Sequence, residues 1–168
     1  MAGFKTVKPE QLKENPFKLI GTDWMLVTAG DFAKFNTMTA SWGFLGIMWG
    51  KPAACCVVRP SRHTYQFMES GSLFSLSFFT GKYRKALDLC GSRSGRDTDK
   101  VKESGLTPMT GPAGSVCFKE ARLVLECRKI YFQDFDPSRF LDPGIAKAYP
   151  QKDYHRLYIG EILDCLRK

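Results

Sequence analysis

Three segments hold the residues whose types and spacing could do chemistry. The first is Asn36-Thr37-Met38-Thr39-Ala40-Ser41-Trp42-Gly43. Small polar residues alternate there at the end of an extended run and lead into a Gly/aromatic loop. Backbone amides and hydroxyls could address the polar edge of a flat heterocycle, whose apolar ring would lie against Met38 or Trp42. On local grounds, an edge strand with Thr and Ser chosen for β propensity is the plainer account. The second is Val58-Arg59-Pro60-Ser61-Arg62-His63-Thr64, which leaves an apolar run and enters a helical one. Free N–H groups at a helix start attract anions. The guanidinium groups of Arg59 and Arg62, with the Ser61 and Thr64 hydroxyls, could wrap one phosphate through charge-assisted bonds. A basic surface turn is the alternative. The third is Cys90-Gly91-Ser92-Arg93-Ser94-Gly95-Arg96-Asp97-Thr98-Asp99-Lys100. This is a flexible, donor-rich loop whose Asp97-Thr98-Asp99 can cap a following helix. Lys100 then falls in the first turn, where a cation is unfavourable unless an anion is near. Pairing with Glu103 or Asp97 is the bland alternative.

Other chemistries lack their residues. No Ser-His-Asp ordering, Walker loop or dinucleotide glycine fingerprint occurs. The only histidines, His63 and His155, are too few for a metal site. Six cysteines (Cys55, Cys56, Cys90, Cys117, Cys127 and Cys165) form no Cys-x-x-Cys pair, so zinc and iron–sulfur spacings are absent. They read as reduced, small hydrophobes of a cytoplasmic protein. The opening stretch carries Lys5, Lys8 and Lys13 with no apolar core behind them, so it does not read as a secretory signal. No apolar run approaches the roughly 20 residues of a membrane helix. The net charge of +8 is scattered except at Arg59–Arg62 and Arg93–Lys100. Clusters set among Ser, Thr and Gly suit a phosphate pocket better than a nucleic-acid stripe.

The elements that must position these segments are mostly strands. The 168 residues, 43% hydrophobic and 25% charged, make about one domain, without repeats or low-complexity stretches. Strands are predicted over Trp24–Ala29, from about Asp31 to Ser41, and over Ala53–Val58, Leu73–Phe79, Ala121–Cys127 and Tyr154–Leu166. In Leu73–Phe79 the alternation is plain: Phe74, Leu76 and Phe78 against Ser75 and Ser77. Short helices are predicted over Arg62–Glu69, Lys82–Leu89 and Thr98–Ser104, the last stopping at Gly105. Strands separated by single short helices suit a mainly β protein, a barrel with helical inserts, rather than a βαβ repeat.

Taken together, the chain resembles the flavin reductase-like family, and its flavoredoxin branch in particular. The resemblance rests on Asn36 to Trp42, Arg59-Pro60-Ser61-Arg62-His63-Thr64, Ser94-Gly95-Arg96-Asp97-Thr98-Asp99-Lys100 and Tyr158-Ile159-Gly160-Glu161-Ile162, in the family's order and at about its spacing. It covers roughly Asp23 to Leu163. It implies an FMN-binding split β-barrel and a homodimer with FMN, held non-covalently, near the subunit interface. By similarity, Thr37, Met38, Thr39, Ala40 and Ser41 would line the isoalloxazine, and Arg59, Ser61, Arg62 and Thr64 would hold the ribityl phosphate side. Ser94, Arg96 and Lys100 would form a second phosphate-side or interface group. Where family members that use NAD(P)H carry Gly-Asp-His, this chain reads Lys152-Asp153-Tyr154-His155, which puts direct use of that donor in question. Many relatives have Asn where this chain has Ser77. The resemblance therefore implies an FMN oxidoreductase in one of two forms: NAD(P)H reduces the flavin, or the protein passes electrons between protein partners such as a ferredoxin. A basic barrel that grips nucleic acid through aromatics and Arg is the alternative from another class.

Overall fold

The computed structural model describes residues 3–168. Ten strands form in chain order: β1 (Lys5–Val7), β2 (Met25–Gly30), β3 (Phe35–Ala40), β4 (Gly43–Met48), β5 (Lys51–Val58), β6 (Leu73–Phe78), β7 (Pro108–Thr110), β8 (Val116–Phe118), β9 (Leu123–Asp134) and β10 (Arg156–Arg167). Three short α-helices interrupt them: α1 (Thr64–Ser70) after β5, then α2 (Arg84–Ser92) and α3 (Lys100–Ser104) between β6 and β7. The main sheet runs β3-β2-β6-β9-β10-β5-β4, with β1 added beside the far half of β10. Its ladders are antiparallel throughout.

The two ends of that path, β3 and β4, are joined by Ser41 and Trp42 alone. A link so short spans about 11 Å at most. The sheet must therefore curl until its edges nearly meet, yet no ladder joins β3 to β4. The result is a split β-barrel.

Alternation along the strands fills two layers. Phe74, Leu76 and Phe78 of β6 and Leu123, Leu125 and Cys127 of β9 point into the barrel, with Val27, Met38 and Tyr158. The opposite faces of β2, β6 and β9 are covered by α2 and the β7–β8 hairpin, through Leu26, Leu87, Cys90, Phe118 and Val124. Glu126 sits on this second face and is buried. Its carboxylate accepts from the Ser115 amide (3.1 Å), the Ser115 hydroxyl (2.8 Å) and the Ala113 amide (3.3 Å), which fixes the hairpin to β9.

Several boundaries differ from the sequence reading. The second strand starts at Phe35 rather than Asp31, because the Asp31 carboxylate accepts from the amides of Ala33 (2.9 Å) and Lys34 (2.8 Å) and holds a turn there. The Gly/aromatic loop after Trp42 is strand β4. The strand expected to stop at Cys127 runs on to Asp134, paired with β10 along its length. The helix expected from Arg62 starts at Thr64, and the one expected from Thr98 starts at Lys100, with the Asp99 carboxylate accepting from the Lys102 amide at 3.1 Å.

At Gly160, in β10, a Cβ would lie 2.6 Å from the Phe74 ring and 2.8 Å from Cys127 Cβ. The absent side chain lets Phe74 fill the barrel. Gly160→Ala overpacks this site and is expected to cost about 1–3 kcal/mol, read as a lower urea midpoint with unchanged slope.

Candidate functional site

Helix α2 ends against β3, and its last carbonyls lack helical partners. Two cations from other segments take them. Arg62 Nη2 donates to Gly91 O at 2.7 Å, and Lys100 Nζ donates to Cys90 O at 3.3 Å. Lys100 is only 4% exposed, and it pairs with neither Glu103 nor Asp97. Burial, opposed in part by Cys90 and aided by a smaller effect of the neighbouring Arg62, lowers its pKa to about 8. The Arg62 guanidinium is itself lowered, by burial and then by Arg59. Both charges are thus held in place and only partly compensated.

The 94–99 loop crosses the free edge of β3 beside this pair. A Cβ on Gly95 would meet Asn36 Oδ1 at 2.0 Å, so only glycine permits the approach. Asn36 Nδ2 donates to the Thr64 hydroxyl at 2.7 Å, tying β3 to the start of α1. Between loop and strand lies a cleft of about 640 Å³, lined by Lys34, Asn36, Thr37, Arg96 and Lys100. Arg96 is exposed and spends one nitrogen on Ser61 O (3.2 Å). Burial, then Arg96, Lys100 and Lys34, push the His63 imidazole below its usual range. Lys34, Arg96 and Lys100 outnumber the carboxylates of Asp97 and Asp99 on the cleft wall, so the edge of this strand carries net positive charge.

Of the residues singled out in sequence, Thr37, Arg96 and Lys100 meet in this cleft. Met38 and Ala40 point into the barrel core and would meet a ligand through main chain alone. The Thr39 hydroxyl donates to Leu87 O at 2.5 Å, and that of Thr37 pairs with Thr28 at 2.9 Å. Thr64 is buried against Asn36, and the Ser94 hydroxyl accepts from the Arg96 amide at 3.2 Å. Ser41 lies farther along, beside Trp42 and Phe17 on a second, apolar trench of about 420 Å³. Lys34 and Asn36, with Asp97 and Asp99, are polar cleft residues not among the assigned ligands. The place of the first two, on the turn into β3 and on its first residues, was the available signal.

Arg59 and Ser61 face elsewhere. Arg59 Nη1 donates to Asp153 Oδ1 (2.6 Å) and Nη2 to Ala148 O (2.8 Å), while the Ser61 hydroxyl donates to Asp153 Oδ2 (3.3 Å). The Arg59 guanidinium also lies 5.0 Å from the Tyr149 ring centre. Tyr149 Oη and His155 Nδ1 share a hydrogen bond of 2.8 Å, and the His155 ring lies 5.2 Å from Trp42. Burial, with help from Arg59, lowers the His155 pKa to about 4, so the ring is neutral near pH 7. Ser77 is buried in the second layer, away from the cleft. All six thiols are free and buried; burial raises Cys55, Cys117 and Cys165 to about 12, so none is a thiolate near neutrality. Among the described residues no group of three metal-ligating side chains forms, and no helix is long and apolar enough to cross a membrane.

Comparison with known proteins follows the same outline. The model of the flavin reductase like domain matches residues 17–168. An FMN-binding protein from Thermus thermophilus superposes with a TM-score of 0.70 at 19% identity, over 96% of this chain and 78% of that one. A flavoredoxin from Methanosarcina acetivorans gives 0.69 at 22%, over 96% and 76%. An NADH:FAD oxidoreductase from Streptomyces globisporus gives 0.67 at 17%, over 88% and 76%. No curated protein matches in sequence.

The buried lysine sets a pH signature. Unfolded, Lys100 titrates near its ordinary 10.5; folded, at about 8. Between these values the unfolded chain binds more protons, so this group's contribution to stability rises with pH. Below pH 8 the full cost of the buried charge is present. The stability of the ligand-free protein minus that of Lys100→Met is expected to rise by up to about 3 kcal/mol from pH 8 to 10.5. Paired urea titrations across that range measure it; a flat difference would contradict the buried cation.

Proposed function

The chain belongs to the flavin reductase like family, and from that premise we propose that it is an oxidoreductase working through non-covalently bound FMN. The observation that carries the reading is the cleft beside β3, where Lys34, Arg96 and the buried Lys100 gather on one strand edge. The donor set fits the group. Lys100 is a buried cation satisfied by a single carbonyl, and a phosphate dianion is the counter-charge its surroundings lack. Arg62 stands behind it, bound to Gly91 O, and adds to the field.

The chain's own residues then have separable tasks. Lys100, Arg96 and Lys34 hold the phosphate. The free main-chain groups of β3, an edge strand, meet the polar rim of the ring and stabilise negative charge on it. Trp42 and the apolar trench beside Ser41 exclude water from the head. Bound FMN supplies the capacity to take up hydride or single electrons, which no side chain here offers. No thiolate or charged imidazole competes at neutral pH, since the cysteines are protonated and His155 is neutral.

The electron donor has two readings, a nicotinamide nucleotide or a reduced protein of the ferredoxin kind. One feature favours the protein donor. The polar groups of the segment before β10 are spent internally, Asp153 on Arg59 and Ser61, and His155 on Tyr149. A homodimer belongs to the same proposal. Phe44 and Ile47 of β4 and Trp49 in the turn after it are exposed with Tyr131 and Phe132 of β9, and such an apolar face calls for cover.

Purified protein is expected to quench FMN fluorescence on titration. Arg96→Ala with Lys100→Met should weaken FMN by about tenfold or more, since charged hydrogen bonds are worth about 1.5–3 kcal/mol each. Riboflavin, lacking the phosphate, should bind more weakly and ignore the substitutions. FMN affinity should also fall as pH rises through about 8, where Lys100 loses its proton. Equal binding of FMN and riboflavin would remove the phosphate assignment; binding of neither would remove the function. Anaerobic bleaching by NADH or NADPH, against bleaching only by a reduced ferredoxin, separates the two donors.

A further inference from the structure

Tyr149 and His155 are buried, at 4% and 8% exposed, and the phosphate cleft uses neither. Tyr149 stands at the end of the arm 136–148, which joins β9 to β10. Phe140 of that arm stacks on its ring (6.0 Å between centres), and Arg59 holds the root of the arm through Ala148 O at 2.8 Å. Phe135, just past β9, lies 6.4 Å from the His155 ring. Both polar groups are thus walled by aromatic rings. Among the described residues no other acceptor reaches the Tyr149 phenol, so its O–H donates to His155 Nδ1 at 2.8 Å. A proton leaving this phenol therefore has one base to go to, and that base is neutral near pH 7.

The same imidazole meets a third ring. Trp42 lies 5.2 Å from it and is 47% exposed, on the wall of the apolar trench. Beyond Tyr149, the half-buried Tyr154 lies 5.1 Å away. Trp42, His155, Tyr149 and Tyr154 form a continuous row, from the trench through two buried groups to a second phenol at the surface. Indole and phenol are the side chains that one-electron oxidants attack where thiolates are absent, and Cys55, Cys117 and Cys165 are protonated near neutrality. A deprotonated phenoxyl radical is a weaker oxidant than an indolyl radical. A hole on Trp42 thus runs downhill to Tyr149 once a base within hydrogen-bond reach takes the phenol proton, and His155 Nδ1 stands there. Arg59, 5.0 Å from the Tyr149 ring, opposes the charge this puts on the imidazole; Asp153, 2.6 Å from Arg59, offsets it.

We propose that Trp42, His155 and Tyr149 form a relay that carries an oxidising hole from the trench to an interior phenol. An external one-electron oxidant takes an electron from the Trp42 indole, which loses its N–H proton to water. Tyr149 then gives one electron to Trp42; its O–H bond breaks, and the proton bonds to His155 Nδ1. The indole recovers its N–H proton from water. Tyr149 is left as a phenoxyl radical beside an imidazolium. One electron from a reductant in solution, of the thiol or ascorbate class, passes in through Tyr154 and brings the proton back to the phenol oxygen. The relay itself does not need the flavin reading; its use, the repair of an indole beside a redox head group, rests on that reading.

The test uses the full chain without flavin. Azide radicals made by pulse radiolysis oxidise indole in preference to phenol. In the double variant Trp24→Phe/Trp49→Phe, Trp42 is the only tryptophan left. Its indolyl absorption should give way to phenoxyl absorption in a first-order phase whose rate is independent of protein concentration. Adding Tyr149→Phe should remove that phase. Adding His155→Leu should slow it by about tenfold or more and abolish its further slowing in deuterated water; a histidine that only packed Trp42 would leave that isotope effect in place. Trp42→Phe in the wild-type chain, a change at a half-exposed position, should remove the same phase, and circular dichroism checks that each variant is folded. A phase that persists in Tyr149→Phe, a rate proportional to protein concentration, an indolyl radical that decays without phenoxyl, or an isotope effect unchanged in His155→Leu would each overturn the proposal. FMN quenching in separate samples keeps the two readings apart. A relay found in a protein that takes no FMN sinks the flavin reading alone, and FMN binding without the relay sinks the relay alone.

Discussion

The carbonyl end of α2 holds the site together. Arg62 comes from the loop before α1, and Lys100 opens α3. Arg62 takes the carbonyl of Gly91 and Lys100 that of Cys90, one each of two successive carbonyls. The C-terminal end of a helix carries partial negative charge, worth a few tenths to about 1 kcal/mol to a neighbouring cation. That does not repay the burial of a lysine ammonium, as its lowered pKa records. The anchor is thus geometrically firm and electrically incomplete. It brings α1, α2, α3 and the 94–99 loop to one strand edge and leaves them with surplus positive charge there.

The barrel's split supplies the rest. Because Ser41 and Trp42 alone bridge the two edge strands, β3 keeps a free edge while its neighbour β4 displays apolar side chains to solvent. One corner of the fold then offers main-chain polar groups on one side and an apolar trench on the other. A ligand with a charged tail and a flat head meets both halves of that description. Of the two basic clusters, Arg96 and Lys100 come together on one cleft with Lys34, while Arg59 turns away to Asp153.

What could be read in the sequence was what is local. The alternation of Phe74, Leu76 and Phe78 gave the face of β6, and the cap before Lys100 gave α3 to within two residues. The small polar run around Thr37 did mark a sheet edge. The pairings that assign the side chains were not local. Arg59 finds Asp153 across 94 positions and Lys129 has Gly160 opposite it across β9 and β10. No spacing rule reaches that far, so the engagement of Arg59 by Asp153 could not be read from the sequence. The burial of Glu126 is non-local in the same way: the β7–β8 hairpin, too short to register as strands, covers its face of β9.

The capture of Arg59 changes what a substitution there means. Its two outer nitrogens are engaged by Asp153 and Ala148, and its plane covers Tyr149. Removing it would free the arm root, loosen the Tyr149–His155 bond and so disturb the contact under Trp42. Loss of ligand in such a variant would reflect a displaced support, whereas loss at Arg96 would reflect a missing hydrogen bond. Arg62, two residues past the Arg59-Pro60 turn, shares that turn but binds the helix end. Two arginines that look equivalent in sequence therefore act on different parts of the molecule, one on the arm and the other on the field around the cleft.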